Sequence, residues 1–179
     1  MELMHGSPAD LSGRSEHEIR VYEYLDALGI SYDRTDHFDQ PASTMEVCAK
    51  VDAILNVRIC KNLFLSNTQK TKFYLLIMPG DKKFVTKNVS KQLGVARLSF
   101  GPEEEMKKLL SLNPGSVSVM GLIFDTEHEV HLVIDADVLK EEYFGCHPCV
   151  NTSSLRFRTE DLMNVLIPSF GIGYSLVEL

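Results

Sequence analysis

The chain has 179 residues, of which 44% are hydrophobic and 24% charged, a size and composition typical of one globular domain with a sizeable core. It contains no run of 18 apolar residues that would predict a membrane span, and its N-terminus lacks the basic and apolar regions of a secretory signal. Four cysteines without such a signal favour a reducing compartment over a disulfide framework, so we expect a cytoplasmic protein.

The charge is unevenly distributed along the chain. The net charge of −7 argues at first against a nucleic-acid partner. However, residues 50–97 contain ten Lys or Arg and two Asp or Glu, a net charge of +8, whereas residues 1–49 and 98–179 carry −7 and −8. This basic segment can bind a polyanion locally, or it can be ordinary solvated surface, and both interpretations stay open.

The first half of the sequence predicts alternating helices and strands after a loose lead-in over residues 1–14. Ser15 and Glu18 have the spacing of a capping box, and Gly29 has the usual position after a helix end. The apolar pattern predicts a helix over 15–28, a strand over 30–37, a loop over 39–43, a helix over 44–55, and strands over 59–66 and 73–78. The last strand is continuously apolar, which is typical of a central strand.

The second half predicts a similar mixture within the domain that we expect over residues 15–179. The predicted helical elements are helices over 86–93 and 102–111, a helical turn over 137–143, and a last helix that Thr159 caps, that runs through Leu166 or Ile167 and that Pro168 ends. A turn is predicted over 113–116, and strands over 98–100, 117–124, 130–134, 151–158 and 172–177. Because strands and helices do not alternate strictly, we predict an α+β fold. We expect a single domain with a mixed, mostly antiparallel and barrel-like central sheet flanked by helices.

The stretch from Gly145 to Thr152 contains Cys146-His147-Pro148-Cys149, the one Cys-x-x-Cys of the chain. Three interpretations compete for it: a redox dithiol, half of a zinc site, and a catalytic loop that carries the histidine. A redox dithiol needs a low-pKa thiolate, usually at a helix N-terminus, but residues 150–154 are a poor helix start. A zinc site needs four ligands, which Cys48 and Cys60 would have to complete. Both remain as lesser alternatives.

Three segments in this order resemble a known family: Lys61-Asn62-Leu63-Phe64-Leu65, Asn113-Pro114-Gly115-Ser116-Val117-Ser118, and the Gly145 to Thr152 stretch. The resemblance is to the YbaK-type aminoacyl-tRNA editing deacylases and covers roughly residues 15–178. That family includes the editing insertion domain of bacterial prolyl-tRNA synthetases and free-standing trans-editing proteins. The chain looks most similar to the free-standing branch that clears alanine from proline tRNA.

The resemblance implies hydrolysis of the ester between a small amino acid and the terminal adenosine of tRNA(Pro), with no metal, cofactor or covalent intermediate. It implies the acceptor end of the tRNA as partner, with prolyl-tRNA synthetase as a second candidate and no membrane. The catalytic residues carried over are Lys61, Gly115 and His147. The residues expected to bind substrate are Asn62, Ser116, Ser118 and Asn151.

Ester hydrolysis fits these residue types. Backbone N–H groups of the Gly115–Ser116 turn can stabilise a developing oxyanion, and a lysine supplies a compact positive charge. The simpler roles stay open: Lys61 can extend from a strand edge into solvent, Gly115 can serve only the turn, and His147 can hold its loop. The sequence also departs from the family, because Val119 stands where the family has proline. A catalytically silent module that binds aminoacyl-tRNA or an amino acid is therefore the alternative function.

Overall fold

A computed structural model of the chain describes residues 1–42 and 44–179; Ser43, the last residue of the predicted 39–43 loop, lies outside them. The strands are β1 Met4–His5, β2 Tyr32–Asp36, β3 Lys61–Ser66, β4 Phe73–Met78, β5 Ser99–Phe100, β6 Val130–Asp135, β7 Tyr143–Cys146, β8 Ser153–Arg158 and β9 Tyr174–Val177. The longer helices are α1 Glu16–Ala27, α2 Met45–Leu55, α3 Thr86–Leu93 and α4 Glu103–Leu110. No helix in the described ranges is long and apolar enough to cross a membrane.

The strands form two open sheets. One has the order β1-β2-β8-β7 and is antiparallel throughout. The other has the order β5-β3-β4-β6-β9, in which β4 is antiparallel to β3 and parallel to β6. The α+β class and the central place of residues 73–78 are confirmed. The barrel-like closure is wrong, because edge strands β1 and β5 have only two residues each and neither sheet closes on itself.

Capping side chains fix the first two helices as the sequence predicted. Ser15 Oγ accepts a hydrogen bond from the Glu18 N–H at 3.1 Å, and Gly29 has φ +69° just after α1 ends. Thr44 Oγ1 accepts from the Val47 N–H at 3.3 Å. These caps satisfy N–H groups that have no partner within the helix, so each helix begins at a defined residue.

Both faces of the five-stranded sheet are covered. One face packs on the four-stranded sheet, α1 and α4, and includes Leu75 and Ile77 of β4. The other face includes Leu76 and Met78 and packs with Val89 of α3. All six residues of β4 are buried, which explains why this strand lacks an alternating pattern.

The predicted strand over 117–124 is wrong. Residues Val119–Ile123 form a 3-10 helix, and Ser118 Oγ accepts from the Met120 N–H at 3.2 Å to cap it. A short apolar run cannot by itself distinguish a strand from a buried helical turn. Gly121 lets this helix approach the end of α4, because a Cβ there would lie 2.7 Å from Leu112 Cδ1.

The C-terminal helical segment also differs from its prediction. It runs over residues 159–169 and contains a π-helical stretch, in which the Ile167 N–H donates to Leu162 O. Thr159 is the first helical residue rather than the cap. Pro168 does not end the helix, because the wider π turn accommodates a residue that has no N–H to donate.

Two further segments are more ordered than the sequence suggested. Within residues 1–14, β1 pairs with β2, and the Arg14 guanidinium donates to Glu18 and Asp36 at 2.5 and 2.6 Å. The division into a lead-in and a domain stays a prediction. The helical turn expected over 137–143 is a 3-10 helix, Ala136–Lys140, and the chain then forms β7, which the sequence did not predict.

Candidate active site

A cavity of about 650 Å³ opens between β3, α2 and the two loops that hold the glycine turn and the Cys-x-x-Cys stretch. Lys61, Asn62, Gly115 and His147 line it, so four of the seven predicted site residues come together. The apolar part of the wall includes Met45, Leu63, Phe64, Phe100, Met106 and Val117. The other three predicted residues, Ser116, Ser118 and Asn151, are not part of the lining.

Lys61 is the first residue of β3 and reaches into the cavity half-buried. Its Nζ donates to the Lys82 carbonyl oxygen at 2.9 Å, in the loop that follows β4. An ammonium group has three donors, so this contact orients Lys61 and leaves two donors for a ligand.

Lys82 supports Lys61, although sequence reasoning did not single it out. The Lys82 ammonium forms ion pairs with Asp135 at 2.8 Å and Asp137 at 2.6 Å, at the end of β6. Partial desolvation lowers the pKa of Lys82, but the hydrogen bonds to the two carboxylates outweigh it and leave the pKa raised. No local pattern indicates this cluster, because the two carboxylates lie more than 50 residues from Lys82 along the chain.

The Asn62 side chain connects β3 to the 3-10 helix through hydrogen bonds. Its Nδ2 donates to Cys60 O at 3.1 Å, and its Oδ1 accepts from the Val119 N–H at 2.9 Å. Asn62 thereby fixes the start of the 3-10 helix against β3. A proline at position 119 has no N–H and could not make this contact.

Gly115 forms the turn that faces β3, with φ +84°, a conformation that favours glycine. Ser116 serves the turn itself, since its N–H and Oγ both donate to Asn113 O, at 3.1 and 2.8 Å. Of the two N–H groups expected to face an oxyanion, the Gly115 N–H is the one without an acceptor in residues 1–42 and 44–179. A Cβ on Gly115 would lie 3.7 Å from Asn151 Nδ2, so Asn151 flanks the turn.

Ser118 couples the two loops of the site. It is fully buried, and its Oγ donates to the His147 carbonyl oxygen at 2.5 Å while capping the 3-10 helix. Its role is to hold the glycine turn and the histidine loop in register.

Hydrogen bonds define which nitrogen of His147 carries the proton. His147 Nδ1 lies 3.1 Å from Ser153 O, and a carbonyl oxygen only accepts, so Nδ1 is the protonated nitrogen. Burial lowers the pKa of His147 despite the opposing effect of that carbonyl, so the ring is neutral at pH 7. Nε2 is then left as an unprotonated acceptor with no partner among the described residues.

The hydrogen bonds continue from His147 to a second histidine. Ser154 Oγ lies 3.2 Å from His147 Nδ1 and 3.0 Å from His37 Nε2, while His37 Nδ1 lies 3.1 Å from Gln40 O. Because Gln40 O must accept, His37 is also protonated on Nδ1, and burial lowers its pKa. Ser154 therefore accepts from His147 and donates to His37. Neither Ser154 nor His37 could be found from the sequence, since no motif or spacing links them to the loop.

The thiols of the Cys-x-x-Cys stretch are poorly suited to redox chemistry. Cys146 and Cys149 are buried, and burial raises the pKa of both thiols, the opposite of what a reactive thiolate needs. Burial likewise raises the pKa of Cys60 to about 12. Within the described residues there is no group of three or more His, Cys, Asp or Glu side chains arranged to hold a metal.

Gly145 explains how this stretch reaches the cavity. The Cys60 N–H donates to Gly145 O at 3.0 Å, which places β7 beside the start of β3. A Cβ on Gly145 would lie 2.8 Å from Ile59 Cδ1 and 2.9 Å from Val57 Cγ1. The glycine therefore permits the close approach that brings His147 opposite Lys61.

Comparison with known proteins identifies the family of this site. A family model for the aminoacyl-tRNA editing domain matches residues 39–165. The chain belongs to that family. The editing-domain match includes all seven predicted site residues, and the resemblance to YbaK-type editing proteins is confirmed.

Relatives of this editing domain extend over most of the chain. The chain is 33% identical over 160 residues to the prolyl-tRNA editing protein ProX of Acetoanaerobium sticklandii, and the match covers 89% of this chain and 95% of that protein. It is 27% identical over 162 residues to the prolyl-tRNA synthetase associated domain-containing protein 1 of Danio rerio, covering 89% and 83%. A solved structure of a candidate trans-editing enzyme for prolyl-tRNA synthetase has a TM-score of 0.68 at 17% identity, covering 92% and 97%, and supports the fold.

Proposed function

We propose that this editing domain is a trans-acting hydrolase that removes a small amino acid, alanine, from mischarged tRNA(Pro). One observation carries the proposal. A lysine, a backbone N–H without an acceptor and a neutral imidazole line one cavity with a largely apolar wall. These are the groups that hydrolysis of an aminoacyl ester requires.

The proposed reaction assigns a role to each group. Water adds to the ester carbonyl carbon, the bond to the ribose oxygen breaks, and the products are the free amino acid and the tRNA with its terminal hydroxyl restored. The Gly115 N–H donates to the developing oxyanion, a contribution of about 10²–10³ in rate for comparable donors. Lys61 holds the carbonyl or the terminal phosphate through its two remaining donors. His147 Nε2 accepts a proton or a hydrogen bond from the attacking water.

The cavity wall provides a basis for selecting the amino acid. Leu63, Phe64 and Val117 present apolar surface that suits a methyl side chain. A synthetase distinguishes small apolar groups by only about 1–3 kcal/mol, so removal of errors needs a second site that selects by size. The proposal includes hydrolysis without metal or cofactor, a cytoplasmic location, and prolyl-tRNA synthetase as the source of the mischarged tRNA.

A deacylation panel tests the proposal directly. The protein is incubated with alanyl-, cysteinyl-, seryl- and prolyl-tRNA(Pro), with and without EDTA, and the released amino acid is measured. We expect alanyl-tRNA(Pro) to react fastest, prolyl-tRNA to be spared, and EDTA to have no effect. The Lys61→Ala variant should lose about 100-fold or more in rate. Lys108→Ala changes an exposed lysine outside both the cavity lining and the basic segment, and should stay within about twofold.

Two results would contradict the assignment. Full activity of Lys61→Ala would remove the lysine from the reaction. Binding of charged tRNA without release of amino acid would make the protein the silent binding module that the sequence left open. Substrate preference other than alanine would keep the reaction and change its specificity.

A further inference from the structure

Phe100 is an exposed aromatic residue at the mouth of the cavity. Its side chain is 66% exposed, although it lines the cavity that holds Lys61. It also lines a second cavity of about 350 Å³ on the edge of the same sheet. Phe100 therefore stands between two adjacent cavities.

The position of the Phe100 ring is fixed by its surroundings. Its backbone pairs with Leu65 of β3, and the next residue, Gly101, donates its N–H to Phe64 O at 2.9 Å. The ring packs on Phe84, with centroids 5.7 Å apart and planes at 57°. A ring held in this way can offer its free face to a ligand at little cost in side-chain entropy.

The second cavity combines hydroxyl groups, apolar surface and a positive charge. Its lining consists of Thr68, Thr86, Arg97, Leu98, Ser99 and Phe100. The hydroxyl groups can donate and accept hydrogen bonds, and the guanidinium suits a phosphate.

The positive charge beside Phe100 is not neutralised by the protein. Lys83, Lys87 and Arg97 are exposed, and in the described part of the chain none of them forms an ion pair. Elsewhere in the basic segment, Arg58 and Lys82 pair with carboxylates. Lys83 precedes α3, Lys87 lies in it, and Arg97 lies between α3 and β5. An acidic protein thus has unpaired cations on both sides of α3, a pattern that suits a polyanion.

We propose that Phe100 is a stacking platform for the single-stranded 3′ end of a tRNA. In this proposal the second cavity, which Arg97 lines, receives the nucleotide before the terminal adenosine. The proposal rests on the proposed function, which places the terminal aminoacyl ester beside Lys61. Aromatic rings that stack bases next to unpaired cations are the common means of binding single-stranded nucleic acid. The hydroxyls of Thr68, Thr86 and Ser99 add contacts to the sugar and phosphate.

The test measures binding of RNA that carries no amino acid, so that it does not depend on hydrolysis. The probe is a labelled hairpin of the tRNA(Pro) acceptor arm with its unpaired C-C-A end, and binding is followed by fluorescence anisotropy. We expect Phe100→Ala to raise the Kd about tenfold, equivalent to ~1.4 kcal/mol, and Phe100→Tyr to leave it within about twofold. Arg97→Gln should raise the Kd. It should also reduce the slope of log Kd against log salt concentration by about one, as expected for the loss of one phosphate contact.

Matched controls separate stacking from a general change of surface. Leu176→Ala removes an apolar side chain of similar exposure, 51%, from the opposite edge strand of the same sheet, and should not affect the Kd. A hairpin without the unpaired end should bind wild type and Phe100→Ala equally. Sedimentation of both proteins checks whether Phe100 instead mediates contact between two copies of the chain.

Each outcome decides one of the two proposals. If Phe100→Ala binds the hairpin as tightly as wild type, or changes only self-association, the stacking platform is wrong even where deacylation proceeds. If Phe100→Ala weakens binding but wild type releases no amino acid, the platform stands and the proposed hydrolysis fails.

Discussion

The two walls of the cavity hold their polar groups in opposite ways. On the β3 wall, Lys61 is oriented by the Lys82 carbonyl, and the Lys82 side chain is anchored by two carboxylates. On the facing wall, His147 is oriented by neutral hydrogen bonds that run through Ser154 to His37. One wall thus depends on ion pairs and the other on uncharged, buried groups.

This difference determines how each wall can be disturbed. Removal of one member of a buried ion pair leaves a charge without a partner, which is costly at any pH where that charge exists. A chain of neutral imidazoles is disturbed instead by protonation, because an added proton converts an acceptor nitrogen into a donor. The Lys61 wall is therefore sensitive to substitution of its supporting lysine, and the His147 wall to acid.

The largest expected effect on stability comes from Lys82→Met. Asp135 is fully buried, so loss of the ammonium leaves an uncompensated carboxylate inside the protein. We expect the free energy of unfolding, measured by urea denaturation, to fall by about 3 kcal/mol. Adding Asp135→Asn to the same chain should recover part of the loss, because the buried charge is then removed.

The neighbouring lysine provides the control for this prediction. Lys83 is exposed, and Lys83→Met should change the free energy of unfolding by less than about 0.5 kcal/mol. A loss below about 1 kcal/mol for Lys82→Met would show that the cluster does not anchor the loop beneath Lys61.

Acid should act on the opposite wall through His37 and His147. Burial lowers the pKa of both residues below their ordinary value, so between pH 6.5 and the lowered pKa the unfolded chain binds more protons than the folded one. The free energy of unfolding therefore falls as pH falls through this window, by at most about 1.4 kcal/mol per pH unit for each histidine. Asp36, next to His37, has its pKa lowered by hydrogen bonds and charges from Arg14 that outweigh desolvation, so it does not take up protons in this range.

Urea denaturation at pH 7, 6 and 5 measures this effect. His37→Gln removes one titrating group and keeps a donor and an acceptor, so its stability should depend less on pH than that of wild type. Leu176→Ala, at an exposed position without a titrating group, should depend on pH as wild type does. Parallel curves for wild type and His37→Gln would contradict the view that His37 is neutral in the folded protein at pH 7.

The sequence predicted the parts of this molecule that depend on local patterns. The capping pairs at Ser15 and Thr44 and the apolar run over 73–78 identify their elements, because each signal lies within a few residues. Lys61 and His147 could be paired in advance through ordered motifs. The hydrogen bonds that orient His147 could not be predicted, since His37 and Ser154 are 117 residues apart.

Errors of the sequence interpretation have the same origin. The run over 117–124 has the composition of a strand, yet Ser118 caps a 3-10 helix there, and the same hydroxyl donates to His147 O. Ser116 and Asn151 lie around the glycine turn, and their expected contact with the substrate stays a prediction. Which side chain faces a ligand and which one holds the loop is decided by tertiary contacts that no spacing encodes.

The smallest expected effect, and the sharpest test of the β3 wall, comes from Val119→Pro. Position 119 opens a 3-10 helix, and the preceding Ser118 has φ −148° and ψ 148°, a conformation that a following proline accepts. Proline would remove the N–H that Asn62 Oδ1 accepts and would replace a fully buried valine side chain. Loss of this buried hydrogen bond costs about 1–2 kcal/mol, partly offset by reduced freedom of the unfolded chain, so we expect the free energy of unfolding to fall by about 1 kcal/mol.

The released Asn62 amide can then turn toward the cavity, and the ratio of alanyl- to seryl-tRNA deacylation should shift toward the hydroxyl-bearing substrate. Val119→Ala keeps the N–H and serves as the control; an equal shift in both variants would assign the effect to side-chain volume rather than to Asn62.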